Sequence, residues 1–525
     1  MKLLHHARIH TLDPLRPTAS ALAAEGEWIV AVGGEDLLAE FPRAERQDMG
    51  GRVLLPGLTD AHIHLMRYAL SLQQVDCETA SKEECLFRLA ERLRTARPGV
   101  WVCGHGWNQN EWGGEWPTAA DLDRIAPDTP VFLTAKSLHA AWVNSAALRL
   151  AGIDANTPDP PGGQFLRDEH GRPTGILLEE AYVQVQRLIA PPPLEEVVAA
   201  LREAQPRLWQ MGLTGVHDFD PILSFQALQE LQARRELALR VVKSIPFEHL
   251  TAALEAGLRT GFGNDWLRIG SLKIFADGAL GPRTAAMLDP YVDEPQNCGI
   301  LNLTGEQLFE IGRQAVTGGL SLAVHAIGDR ANRAVLDGFA RLREYERQNG
   351  LAMLRHRIEH VQVIHPQDAG RLAALNITAS MQPIHATSDM FMAERALGER
   401  AAWSYGWQTQ VRHGARLAFG SDAPVESPNP FWGLHAAVTR RRRDGAPAAA
   451  GWYPEERISL QTALQAFSSG PAFLAGMEAR LGCLSAGKLA DLIVLDIDPF
   501  ACPADELHLL QPSAVMIGGE WVWQS

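Results

Sequence analysis

The sequence predicts an α/β protein: a closed (β/α)8 barrel, a small β-sandwich built by both termini, and an insertion after the first barrel strand. Three observations predict it. Apolar strand-like runs alternate with longer helical patterns through the middle of the chain, as in a parallel sheet covered by helices. Eight such runs can be counted, the number a closed barrel needs. The two ends carry short β-branched runs punctuated by glycine, as strands of one small sheet domain would.

At the start, Arg8-Ile9-His10-Thr11 and Trp28-Ile29-Val30-Ala31-Val32-Gly33 resemble in kind Asp491-Leu492-Ile493-Val494-Leu495 and Val515-Met516-Ile517-Gly518-Gly519 at the finish. Residues 1–52 and 478–525 are therefore assigned to the sandwich and 53–477 to the barrel. The eight runs are 53–58, 214–218, 239–245, 268–275, 322–326, 357–361, 377–381 and 417–422, which gives the TIM-barrel architecture. About 155 residues separate the first run from the second, too many for one crossover helix. Residues 72–212 are read as an inserted subdomain, rich in tryptophan, glycine and proline. It leaves from the C-terminal end of the first strand, where barrel active sites lie, so it is a candidate substrate lid.

With 46% hydrophobic residues in 525, the chain can bury a large core. Its formal charge of −14 argues against a nucleic-acid partner, which would leave a basic footprint. The four arginines at 440–443 read as a solvated helix face, with one arginine reaching an anionic substrate group as the alternative. Six cysteines without a CxxC pair fit a reducing cytoplasm better than a zinc ribbon or a disulfide scaffold. The opening is too short an apolar stretch for a signal peptide, and no apolar run of about 18 residues occurs, so neither secretion nor a membrane is expected. A homodimer is the default expectation for assembly.

The strongest local signal is Gly57-Leu58-Thr59-Asp60-Ala61-His62-Ile63-His64. Residues two apart on a strand project to one face, so His62 and His64 can point into the lumen and grip one metal. An HxH triplet alone is weak. It gains weight because later strands also end in potential ligands: His325, His360 and Asp422. Lys273 lies inside an apolar strand, where a bare ammonium is costly. Either its amine is carboxylated to an anion that bridges metals, or it forms a salt bridge to Asp277 or another carboxylate.

In this order, HxH, lysine, histidine, histidine and aspartate resemble the ligand set of the amidohydrolase superfamily. The phrases Lys273-Ile274-Phe275-Ala276-Asp277-Gly278-Ala279-Leu280-Gly281, His325-Ala326-Ile327-Gly328-Asp329-Arg330-Ala331 and Gly420-Ser421-Asp422-Ala423-Pro424-Val425 resemble its YtcJ-like branch, which includes N-substituted formamide deformylase. The resemblance covers nearly the whole chain. It implies that His62, His64 and Asp422 hold one divalent metal, His325 and His360 a second, and a carboxylated Lys273 bridges them. Zinc is the default for such donors, although iron, manganese or nickel suit them too. It further implies hydrolysis of a small-molecule amide or N-substituted formamide C–N bond by metal-activated hydroxide, with Asp422 moving the proton.

His139, Gln382 and His385 are candidate substrate contacts, with simple packing as the alternative for His139. His217 reads as a supporting residue, and His105, Trp107 and Trp112 as either an aromatic pocket or core. Two other functions compete: a deaminase-like relative with one metal, which would not need Lys273, and a non-enzymatic barrel, which would be expected to have lost a ligand.

Overall fold

The structure, a computed structural model, describes residues 1–95, 100–109, 111–136 and 140–525. It divides into two compact units, Met1–Leu65 with Leu201–Ser525, and Met66–Ala200.

The first unit contains the barrel. Its strands are β1 (Leu58–Ile63), β2 (Leu213–Asp218), β3 (Arg240–Pro246), β4 (Leu267–Phe275), β5 (Leu322–Ala326), β6 (Arg357–His360), β7 (Thr378–Met381) and β8 (Leu417–Phe419). They are hydrogen-bonded in that order, each parallel to the next. Uniform burial explains their apolar composition: every residue of β2 is buried, as expected of a strand covered on both faces. The register sets Phe275 beside His325 and His325 beside Glu359, so the chemistry-bearing ends share one rim.

The ring closes between β1 and β8. Asp422 N donates to His62 O at 2.7 Å and His64 N to Ala423 O at 2.9 Å. The buried Asp60 carboxylate staples this seam, accepting from Ser421 N and His62 N, both at 3.0 Å. Only glycine fits at position 420, because a Cβ there would lie 2.4 Å from His62 N.

The run expected as the first barrel strand, 53–58, divides at Gly57. Val53–Pro56 pairs antiparallel with Leu492–Leu495 and parallel with Arg8–His10, so it belongs to the terminal sandwich. The misreading has a physical origin: Val53–Pro56 is buried throughout, and its uniform apolar pattern is the one a barrel strand carries. Six of the other runs agree with the structure to within one residue. The last strand stops at Phe419, leaving Asp422 on the loop that follows.

Both termini build the sandwich. One sheet has the order Trp28–Gly33, Ala21–Glu25, Lys2–His5, Glu45–Asp48; the other runs Glu520–Gln524, Pro512–Ile517, Leu492–Leu495, Val53–Pro56, Arg8–His10, Thr18–Ala19. Leu4, Leu22, Ile29, Leu54, Leu492 and Met516 share its core. Arg240 of β3 ties sandwich to barrel: its guanidinium pairs two-pronged with the buried Asp491, Nη2 to Oδ1 at 2.8 Å, and stacks on Trp266 at 4.5 Å.

The unit Met66–Ala200 contains a six-stranded mixed sheet in the order Gly163–Arg167, Pro173–Glu179, Ala140–Val143, Val131–Ala135, Val102–Trp107, Val75–Asp76. Trp107 and Trp142 are fully buried in its core, with Trp112 packed against it. Trp107 is thus a core residue, and its Nε1 donates to Leu133 O at 2.8 Å.

The arginines at 440–443 do not form a solvated helix face. The helix Pro430–Thr439 ends just before them, and Arg440 is 2% exposed. Its guanidinium lies 4.5 Å from the Trp407 ring and 4.8 Å from Trp452, and donates to the carbonyls of Tyr405 and Trp452, each at 2.7 Å. A planar cation with five N–H donors can be buried where ring faces and free carbonyls surround it, and a charge count does not reveal such surroundings. All six cysteines are free, and no helix among the described residues is long and apolar enough to cross a membrane.

Candidate metal centre

Alternation along β6 puts Arg357 and Glu359 on the same face, inside the barrel. His360 would by that rule face away. Its left-handed φ of +75° instead turns it inward, where its ring centre lies 4.9 Å from that of His62 and 4.6 Å from that of His325. Asp422 is also left-handed, at φ +62°. Such backbone costs about 1–3 kcal/mol for a residue with a side chain and gathers at functional sites.

The structure brings His62, His360 and Asp422 together, each offering a ligand atom within 4.8 Å of the others. His62 Nε2 lies 3.5 Å and His64 Nε2 3.3 Å from Asp422 Oδ1. Donors about 2.0–2.2 Å from a tetrahedral metal stand roughly 3.3–3.6 Å apart, so these separations fit a divalent ion.

The partners of the imidazoles fix which nitrogen is free. His62 Nδ1 donates to Glu359 Oε2 at 2.6 Å and His360 Nδ1 to Gln382 Oε1 at 2.7 Å, leaving Nε2 of each available. His325 is turned the other way: its Nε2 donates to Gly278 O at 2.9 Å, so Nδ1 is its available atom. His64 Nδ1 lies 3.3 Å from Asp220 Oδ1.

Charge states suit a cation. Burial lowers His62 to about 4, with Lys273 adding to the effect, and lowers His325 to about 3, again with Lys273. His360 is held well below its ordinary value by burial and by His325 and His62. These three are neutral near pH 7, as metal ligands must be. His64 differs, because hydrogen bonds to Asp220 and Asp422 outweigh its burial and raise it. Burial alone would raise Asp422, but His62, His64 and His360 outweigh it and hold the carboxylate ionised.

Lys273 is 4% exposed. Its Nζ sits over two rings, 4.7 Å from Phe219 and 4.8 Å from Phe275. The expected alternative, a salt bridge to Asp277 or another carboxylate, is not what the structure shows. Among the described residues no carboxylate pairs with it, and Asp277 instead accepts from the backbone N–H groups of Ala286, Ile327 and Gly328. Burial lowers the Lys273 amine from 10.5 to about 8 despite Glu359 and Asp422 nearby.

Of the expected substrate contacts, Gln382 is buried with its amide oxygen committed to His360. His385 Nε2 lies 3.9 Å from Asp422 Oδ2. His139 lies outside the described residues.

Sequence reasoning missed the supporting carboxylates. Glu359 is fully buried, paired with Arg357, whose Nη1 also donates to His217 Nδ1 at 3.0 Å. Burial would raise Glu359, but Arg357 and His62 hold it ionised. Asp220 sits beside Asp218, which accepts from Asp220 N at 3.1 Å and faces buried Lys243 at 3.3 Å. A signal existed for Glu359, an acidic residue directly before a strand-end histidine in an otherwise apolar run; Asp220, three residues past His217, carried none.

Three comparisons bear on identity. A sequence model of the amidohydrolase family matches residues 45–523. The chain is 33% identical to YtcJ of Bacillus subtilis (strain 168), covering 100% of both proteins. It is 29% identical to the N-substituted formamide deformylase of Arthrobacter pascens, over 98% of this chain and 97% of the relative. A crystal structure of an uncharacterized metal-dependent hydrolase from Pyrococcus furiosus superposes with a TM-score of 0.77 at 31% identity, over 95% of this chain and 99% of that one. Fold, strand-end donors and sequence agree: the chain belongs to the amidohydrolase family.

Proposed function

We propose that this hydrolase cleaves the C–N bond of a small amide, of the N-substituted formamide kind, at a centre of two divalent metals, one held by His62, His64 and Asp422 and the other by His325 and His360. Zinc is the ion these nitrogen and carboxylate donors suit best. The observation that carries the reading is the convergence of His62 Nε2 and His64 Nε2 on Asp422 Oδ1 at 3.5 and 3.3 Å. When bound, such an ion lowers the pKa of water to about 7 and polarises the carbonyl under attack.

The protein's own groups supply the rest. Asp422, held ionised, accepts the proton of the attacking water and returns it to the departing nitrogen, base and then acid in one turnover. His385, 3.9 Å from the same carboxylate, contacts the substrate. The unpaired Lys273 amine, at about 8, is partly neutral near pH 7 and can attack carbon dioxide, losing one proton to form the carbamate that completes the ligand set.

One observation favours a single-metal reading. The ligand atoms of His62, His360 and Asp422, all within 4.8 Å of one another, draw on both halves of the centre. Elemental analysis of the purified protein, with hydrolysis of a formanilide and simple amide panel before and after chelation, separates the cases. About two equivalents with chelator-sensitive hydrolysis is the expected result. One equivalent selects the single-metal form, and no binding after reconstitution overturns the proposal.

A further inference from the structure

We infer that the two halves of the metal centre are unequal, and that the half formed by His62, His64 and Asp422 fills first because buried carboxylates stand behind its histidines. This rests on the metal-centre reading above. Behind His62 Nδ1 is Glu359, an ionised carboxylate at 2.6 Å, and behind His64 Nδ1 is Asp220 at 3.3 Å. Behind the other half the partners are neutral: the Gln382 amide oxygen at 2.7 Å from His360 Nδ1, and the Gly278 carbonyl at 2.9 Å from His325 Nε2. Asp277 approaches His325 Nε2 to 3.6 Å, but its oxygens are engaged by three backbone N–H groups.

A carboxylate accepting the far N–H of an imidazole makes the near nitrogen a stronger donor and fixes the ring. An amide or peptide oxygen fixes the ring equally well and adds no full charge. The halves thus differ in the charge behind their histidines, carboxylates at 2.6 and 3.3 Å against neutral oxygens at 2.7 and 2.9 Å. Arg357 moderates the Glu359 charge and also fixes its position, donating Nη2 to Oε2 at 2.9 Å. Glu359 is a positioning residue, acting on the ion only through His62.

Gln382 and Glu359 offer reciprocal variants. The chelated full-length protein is dialysed against graded free Zn(II), and bound metal is measured with no substrate present. The wild type is expected to fill in two steps, the tighter weakened about 10–100-fold in Glu359→Gln and the weaker strengthened in Gln382→Glu. A crystal of the wild type at half an equivalent of zinc, read by anomalous scattering, is expected to show the ion beside His62, His64 and Asp422.

Two equal steps, an unchanged tighter step in Glu359→Gln, or an ion seated first at His325 overturns the inference while leaving the metal centre intact. Wild-type protein that binds no zinc overturns both. If Glu359→Gln does not fold, Gln382→Glu and the anomalous map still decide.

Discussion

Replacing Lys273 by methionine separates what the lysine costs the fold from what it does for the site. In the metal-free protein its amine is buried without an ion-pair partner and falls from 10.5 to about 8. A base whose folded pKa is depressed stabilises least when charged. Its contribution is fully present above pH 10.5 and is lost as pH falls through 8. The gap corresponds to about 3 kcal/mol at 1.36 kcal/mol per pH unit. The rings of Phe219 and Phe275 give back about 1 kcal/mol each while the ammonium is charged. Methionine has similar length, no charge to desolvate and favourable contact with rings. Chelated Lys273→Met protein should therefore be more stable than chelated wild type at pH 7 by about 1–3 kcal/mol, the advantage fading between pH 8 and 10.5. Reversible urea unfolding of both proteins across pH 7 to 10.5 measures the difference directly, because other titrating groups cancel. A variant that is less stable at pH 7, or a difference that does not change with pH, would refute the claim that Lys273 is held uncompensated in the fold.

Lys273→Ala should abolish hydrolysis, and short carboxylic acids should restore part of it if a carbamate belongs in that space; steady-state rates with added acetate or propionate test this, and unchanged activity without them removes the lysine from the site. Asp422→Asn should lower turnover about 10²–10⁴-fold, the usual reach of general acid–base catalysis; because the amide keeps an oxygen donor, elemental analysis should still find metal, and near wild-type turnover would take the proton-transfer role away from it. Asp491→Ala leaves the buried Arg240 guanidinium with only Glu27 at 3.9 Å and the Asp265 carbonyl at 3.3 Å, and should cost about 3 kcal/mol in urea unfolding; a loss under 1 kcal/mol would show that water enters the joint.

Six of the eight barrel strands were legible in the sequence almost to the residue, because a parallel barrel buries both faces of each strand and writes that as an unbroken apolar run. Val53–Pro56 carries the same run for a different sheet, and only its pairing partner, Leu492–Leu495, distinguishes it. His62, His360 and Asp422, which the structure brings together, were legible because they stand at or just past strand ends. Their supports were not: whether Glu359 serves His62 depends on two strands meeting across a lumen, and no spacing along one strand encodes that. Arg440 was misread for the same reason, since the rings and carbonyls that receive it come from distant segments.

The β1–β8 seam has a consequence for the order in which the protein becomes competent. Asp60 and Ser421, which join there, stand 361 positions apart, so a ribosome releases the HxH segment long before its counterpart exists. Until β8 arrives, His62 and His64 are two histidines on a strand without Asp422, with at most weak hold on a cation. The donors reach full strength only when the last stave of the barrel is set. The site thus reports completion of the fold, and a chain truncated before residue 422 should leave the ribosome unable to retain metal.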